Sequence, residues 1–178
     1  MAYITPEKLK AFADKFPDDD TLLQGYCDSA ESIVAKYLGY SPESKEYETQ
    51  ARGFGAKFFE LESMPVTELL SVTKDGEEVA LSLFRVIKNT NYLAYDDDSV
   101  FEDGKKYCVI YRAGFEEVPA LIETTALQIA SLLWESAGGN LAVTSTSFGD
   151  MGGRTFQSFK PDRFLEQIKD YKMSKVDY

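Results

Sequence analysis

From Tyr107 to Gly138 the chain reads as a buried strand (YCVIYR), a sharp turn (AGFEEVP) and a long helix opening near Ala120. On a helical wheel, Ile122, Ala126, Leu127, Ile129, Ala130, Leu133, Trp134 and Ala137 cover a stripe of about 160°. That is wide for a helix burying a single face. Leu121 and Leu132 stand on the otherwise polar side, among Thr124, Gln128, Ser131 and Glu135, three turns apart on one line. Two readings fit them: stray surface leucines, or apolar anchors on a polar rim, as a contact with another subunit requires.

Two helices precede this stretch. Thr5 as N-cap, Pro6 at the first helical position and Glu7 in the first turn open the first. Leu9, Phe12, Ala13 and Phe16 fall on one face, and Pro17 is expected to end it. Asp18, Asp19 and Asp20 stand where they can cap the second helix and complement its dipole. There Leu22, Leu23, Tyr26, Cys27, Ala30, Ile33, Val34, Tyr37 and Leu38 form an unbroken seam at spacings of three and four, ending at Gly39.

Residues 41–50 are polar and read as a loop. From Phe54 to Arg112 the pattern is of strands with turn punctuation. Asp75-Gly76 is a hairpin signal between Leu69–Lys74 and Val79–Ile87. Met64-Pro65 marks a turn before Val66. A short strand is expected at Tyr92–Tyr95 and another at Tyr107–Arg112. After Gly138, residues 140–159 are rich in Ser, Thr and Gly and read as a long flexible loop, a length that in a compact domain is usually functional or disordered. Pro161 and Asp162 open a last helix carrying Phe164, Leu165, Ile168 and Tyr171 on one face. The expected fold is α+β, a small helical bundle with an antiparallel β-rich middle. It is expected as one domain over 1–178, with helices in about 5–39 and 120–172 and the β insertion in about 54–112.

Composition narrows the function. Histidine is absent, which removes Ser–His–Asp and Cys–His catalysis, histidine metal sites and a histidine pH switch. Lys plus Arg number 19 and Asp plus Glu 30, a formal charge of −11. Such an excess repels nucleic-acid phosphates and anionic membranes. Cys27 and Cys108, far apart in apolar segments, read as reduced packing residues. No signal peptide and no apolar run of about 18 residues is present, so a reducing cytoplasm is the expected setting.

Candidate sites are few. Asp96, Asp97 and Asp98 with Glu102 and Asp103 offer oxygen ligands for a hard cation. Their spacing does not match an EF-hand loop, and strand connections commonly collect Asp. The glycines of SFGDMGGRTF fail the P-loop and dinucleotide patterns, since no strand–loop–helix with Lys follows. No catalytic residue, metal or cofactor is expected.

The layout resembles the head–tail connector (adaptor, or head-completion) proteins of long-tailed bacteriophages. ITPEKLKAFA leads through DDDTLL into AESIVAKYLGY, as that family opens. The most specific element is Tyr111, Ala113, Gly114, Phe115, Val118, Pro119 and Ile122 in VIYRAGFEEVPALIE, feeding a helix. The resemblance spans nearly the whole chain. It departs in the size of the β insertion and in Trp134 and Glu135, where the family commonly carries Tyr or Arg. It implies a structural virion protein in the neck, assembled in the bacterial host cytoplasm. Such a protein forms a homo-oligomeric ring on the portal protein, extends the DNA channel without specific DNA binding, contacts no membrane and offers a surface to a stopper or tail protein. Under it, Leu121, Gln128, Leu132 and Trp134 become candidates for subunit contact. Thr144, Ser147, Phe148, Arg154, Phe156 and Phe159 become a candidate portal-docking segment. The alternatives are a tail-completion protein or other phage assembly factor, and a metal-dependent phosphoesterase using the Asp96–Asp103 cluster.

Overall fold

The computed structural model describes residues 2–88, 90–137, 145–147, 153–155 and 160–173. The fold is α+β, as the sequence predicts, with antiparallel sheets. Its residues cluster into two compact units: Met1–Leu38 with Pro119–Tyr171, and Gly39–Val118 with Lys172–Tyr178.

The first unit is helical. α1 (Pro6–Phe12) starts where expected, with Thr5 Oγ1 accepting from the Lys8 N–H at 3.3 Å. It ends five residues before Pro17, because Ala13 turns extended. Phe12 is left exposed and Phe16 lies beyond the helix. α2 (Asp20–Leu38) follows the acidic break, and the three aspartates divide the work there. Asp19 caps the helix, its Oδ1 accepting from the Leu22 N–H at 3.0 Å. Asp18 and Asp20 hold Lys10 Nζ at 2.6 and 2.8 Å. The seam is realised by Leu23, Cys27, Ala30, Val34 and Leu38, all fully buried. Burying a side chain the size of Leu or Val is worth about 1.5–3 kcal/mol, so this seam anchors α2 on α3 (Ala120–Ala137). The closing helix is shorter and tighter than expected. α4 (Asp162–Leu165) passes into a 3-10 segment, Glu166–Tyr171, with Leu165 and Ile168 buried.

The second unit is built of strands. A four-stranded sheet has the order β1 (Lys45–Arg52), β7 (Lys106–Ala113), β3 (Val66–Lys74), β4 (Glu77–Glu78). A three-stranded sheet has the order β2 (Phe58–Glu60), β6 (Tyr92–Tyr95), β5 (Phe84–Val86). β1 corrects the expected loop at 41–50. It is an edge strand with Thr49 buried, so its sequence carries almost no apolar alternation. β6 and β7 lie where the sequence puts strands. Asp75 (φ 52) and Gly76 (φ 89) form the two-residue turn of the β3–β4 hairpin, both in the left-handed region that such a turn needs. The strand expected at Val79–Ile87 shortens to Phe84–Val86. β4 stops at Glu78, Leu81–Leu83 form a 3-10 turn, and Phe84 enters the other sheet.

The core of this unit is aromatic. Phe101 is centred 5.2 Å from Phe59, 4.9 Å from Tyr95 and 5.1 Å from Tyr107. Tyr111 stacks on Tyr47 at 5.7 Å. Its buried hydroxyl accepts from the Ser63 N–H at 3.1 Å and lies 3.3 Å from Thr49 Oγ1. Two glycines permit backbone contacts that no other residue would. At Gly114 (φ +108) a Cβ would fall 2.1 Å from the Glu43 carbonyl oxygen, and at Gly53 one would fall 2.2 Å from that of Glu102.

Candidate functional site

The helix launched by the AGFEEVP turn holds all four residues expected to meet a neighbouring subunit, and the structure separates them. Leu121, in its first turn, is 42% exposed. Leu132 is not its exposed companion: it is buried, at 7% exposure. Trp134 is half-buried, edge-on to Tyr26 with centroids 5.6 Å apart and tilted on Phe16 at 6.1 Å. Gln128 is half-buried, and its Oε1 has no hydrogen-bond partner among the described residues.

The cause lies in the middle of the helix. Thr125, Ala126, Leu127, Ile129, Ala130, Ser131 and Leu132 are all buried there. α1, α2, α4 and the 3-10 segment all contact α3. Most of its apolar surface is therefore buried within the chain, Leu132 included, while Leu121 stays exposed. Ion pairs run from the α1 region to both ends of α3: Lys8 with Glu123 at 2.9 Å, and Lys15 with Glu135.

The expected acidic cluster is in place; among the described residues Asp96, Asp98 and Glu102 are ion-paired, and Asp97 and Asp103 are not. The Arg85 guanidinium donates to the Asp96 carbonyl oxygen at 2.8 Å and to Asp98 Oδ1 at 2.6 Å. Glu102 pairs with Lys74 at 2.5 Å. Asp97 accepts from the Ser99 N–H at 3.0 Å, and hydrogen bonds from Ser99 hold its carboxyl below the usual carboxylate range. Among the described residues no group of three or more His, Cys, Asp or Glu side chains is arranged to hold a metal ion. Beside the cluster lies an open depression of about 440 Å³ that includes Leu83, Tyr95, Val100 and Glu102. A second open depression, about 730 Å³, lies between the starts of α1 and α2. Both cysteines are free; desolvation raises the thiol pKa of buried Cys27 to about 11, which makes it a poor nucleophile at neutral pH.

Within the Ser/Gly-rich segment, β8 (Ser145–Ser147) and β9 (Gly153–Thr155) pair antiparallel, with Thr146 opposite Arg154 and Ser147 opposite Gly153. A strand pair replaces the expected loop at those six residues. Of the candidate docking residues, Ser147 and Arg154 sit on these strands; Thr144, Phe148, Phe156 and Phe159 lie outside the described residues.

Sequence reasoning missed the most exposed large hydrophobic side chain among the described residues. Phe54 is 67% exposed, between Gly53 and Gly55. The signal available was an aromatic bracketed by glycines, with Arg52 and Lys57 close by.

No family model matches the chain, and no curated protein matches it. Solved structures do. A chain of the neck of an empty gene transfer agent (GTA) particle, computed with C6 symmetry, is 14% identical with a TM-score of 0.62; the match covers 96% of this chain and 89% of that one. A chain of the neck of the native GTA particle, computed with C12 symmetry, is 13% identical with a TM-score of 0.62, over 88% and 85%. A chain of the virion of the native GTA particle is 15% identical with a TM-score of 0.57, over 93% and 83%. At this identity the likeness is one of fold.

Proposed function

We propose that the chain is a non-enzymatic structural protein of the neck of a phage-like particle, a head–tail connector that forms a ring on the portal vertex. The carrying observation is the fold shared over 96% of the chain with a neck chain of a GTA particle. Necks computed with C6 and C12 symmetry support a ring as its setting. The net charge of −11 suits a conduit through which DNA slides, since phosphate contacts would act as a brake. As the sequence suggests, the whole chain acts as one connector-like domain, assembled in the host cytoplasm.

Two contacts follow from this reading. Leu121 is the member of the α3 set that stays exposed to a neighbouring subunit, while Leu132, Trp134 and Gln128 support it from within. The segment from Thr144 to Phe159 docks on the portal, and the β8–β9 pair gives it a hydrogen-bonded frame. The opposite side of the ring receives a stopper or tail protein.

Removing the chain from a producing cell tests the assignment. Heads filled with DNA but lacking tails are the expected product, and supplying the chain restores infectious or transducing particles. Complete tailed particles in its absence would defeat the proposal. Tails that attach but leak or detach would favour the tail-completion alternative.

A further inference from the structure

We propose that the corner Arg52–Phe58 is a docking knob for a second copy of this chain, which receives it at the acidic depression around Asp97. This rests on the reading of the chain as a ring subunit and gives one contact of that ring a place.

The corner is rigid. Gly53 N–H donates to the Lys105 carbonyl at 2.9 Å and Gly104 N–H to that of Gly53 at 3.0 Å. Gly55 N–H donates to the Phe101 carbonyl at 2.9 Å, and Phe101 N–H to that of Ala56 at 2.8 Å. Phe54 (67% exposed) and Phe58 (40%) therefore project from a fixed backbone. An aromatic held this way loses little freedom on binding, which is what an interface anchor needs. Arg52 and Lys57 flank it, both exposed and without an ion pair among the described residues. Lys74, Arg85 and Arg112 of this unit each hold a carboxylate.

The depression is its chemical complement. Leu83 (50%) and Val100 (43%) expose apolar surface in it, beside Asp96, Asp97 and Glu102. Asp97 has no ion pair among the described residues. Copies with a charge of −11 repel one another overall, so association needs a place where the sign is locally reversed. Unpaired cations around a fixed phenyl ring, set against a carboxylate beside exposed leucine and valine, provide one.

The test mixes equal amounts of unlabelled and nitrogen-15-labelled full-length chain. The mixture is treated with a carbodiimide, which joins amine to carboxylate without a spacer, in concentrated solution and again after addition of portal rings. Peptides that link Lys57 of one label to Asp97, or to a neighbouring carboxylate, of the other are the expected product. Their yield should fall about tenfold in Phe54→Asp, as for loss of an anchor, and persist in Phe54→Leu. Circular dichroism confirms that both variants fold. Mixed-label links only elsewhere, none in either condition, or an undiminished yield in Phe54→Asp would each overturn the site. Rings that form on the portal without this link sink the docking site and spare the connector reading. The link in solution with portals left bare sinks the connector reading and spares the contact.

Discussion

Gly114→Ala should be among the costliest single substitutions in the sheet unit. A residue other than glycine at φ +108 costs about 1–3 kcal/mol in backbone strain alone. The added Cβ would also lie 2.1 Å from the Glu43 carbonyl oxygen and 2.7 Å from the Ser44 nitrogen, both main-chain atoms that cannot rotate away. Relief requires separating segments joined by Gly114 N–H to the Pro65 carbonyl at 2.9 Å and Phe115 N–H to that of Pro42 at 2.8 Å. The combined loss should reach about 4 kcal/mol, at the exceptional end for a single substitution. Urea unfolding followed by circular dichroism measures it. Gly76→Ala is the control: φ is +89 but nothing lies within 4 Å of the added atom, so about 1 kcal/mol is expected. Equal losses in the two variants would show that the close approach at Gly114 is not what requires glycine.

Phe101→Ala should come next, at about 3–5 kcal/mol, the range for removing a buried phenyl ring. Phe101 is 1% exposed and lies among the rings of Phe59, Phe84, Tyr95 and Tyr107. Alanine leaves a cavity walled by rings that are themselves fixed by strand pairing, so collapse is limited. Phe101→Leu keeps most of the volume and should lose about 1.5 kcal/mol. Urea midpoints followed by near-ultraviolet circular dichroism of the tyrosines give both values. A loss below 1 kcal/mol in the alanine variant would contradict the assignment of Phe101 as the centre of this core.

The elements legible in the sequence are those where one physical pattern acts alone. The α2 seam needs only helical periodicity and a glycine stop; it forms from Leu23 to Leu38, with Leu22 at its start left exposed. The Asp75-Gly76 turn and the β6 and β7 strands are written in local backbone preference and apolar runs. What was misread depends on neighbours distant in sequence. β1 is a strand because β7 supplies its hydrogen bonds, not because Lys45–Arg52 alternates. Leu132 sits on the polar side of a helical wheel, yet other elements of its own chain surround that helix. The carboxylates of Asp96 and Asp98 read as available until Arg85, more than ten residues earlier, is seen pairing with both, at 3.8 and 2.6 Å. An exposed aromatic such as Phe54 leaves no periodic trace in the sequence.

The central claim, a ring on the portal, is tested most directly by electron microscopy of the purified chain mixed with portal rings. The account predicts an added ring of density on one end of the portal, with one copy of the 20.0 kDa chain per repeat. Portals that stay bare while the chain remains dispersed at concentrations far above those of the portal would contradict it.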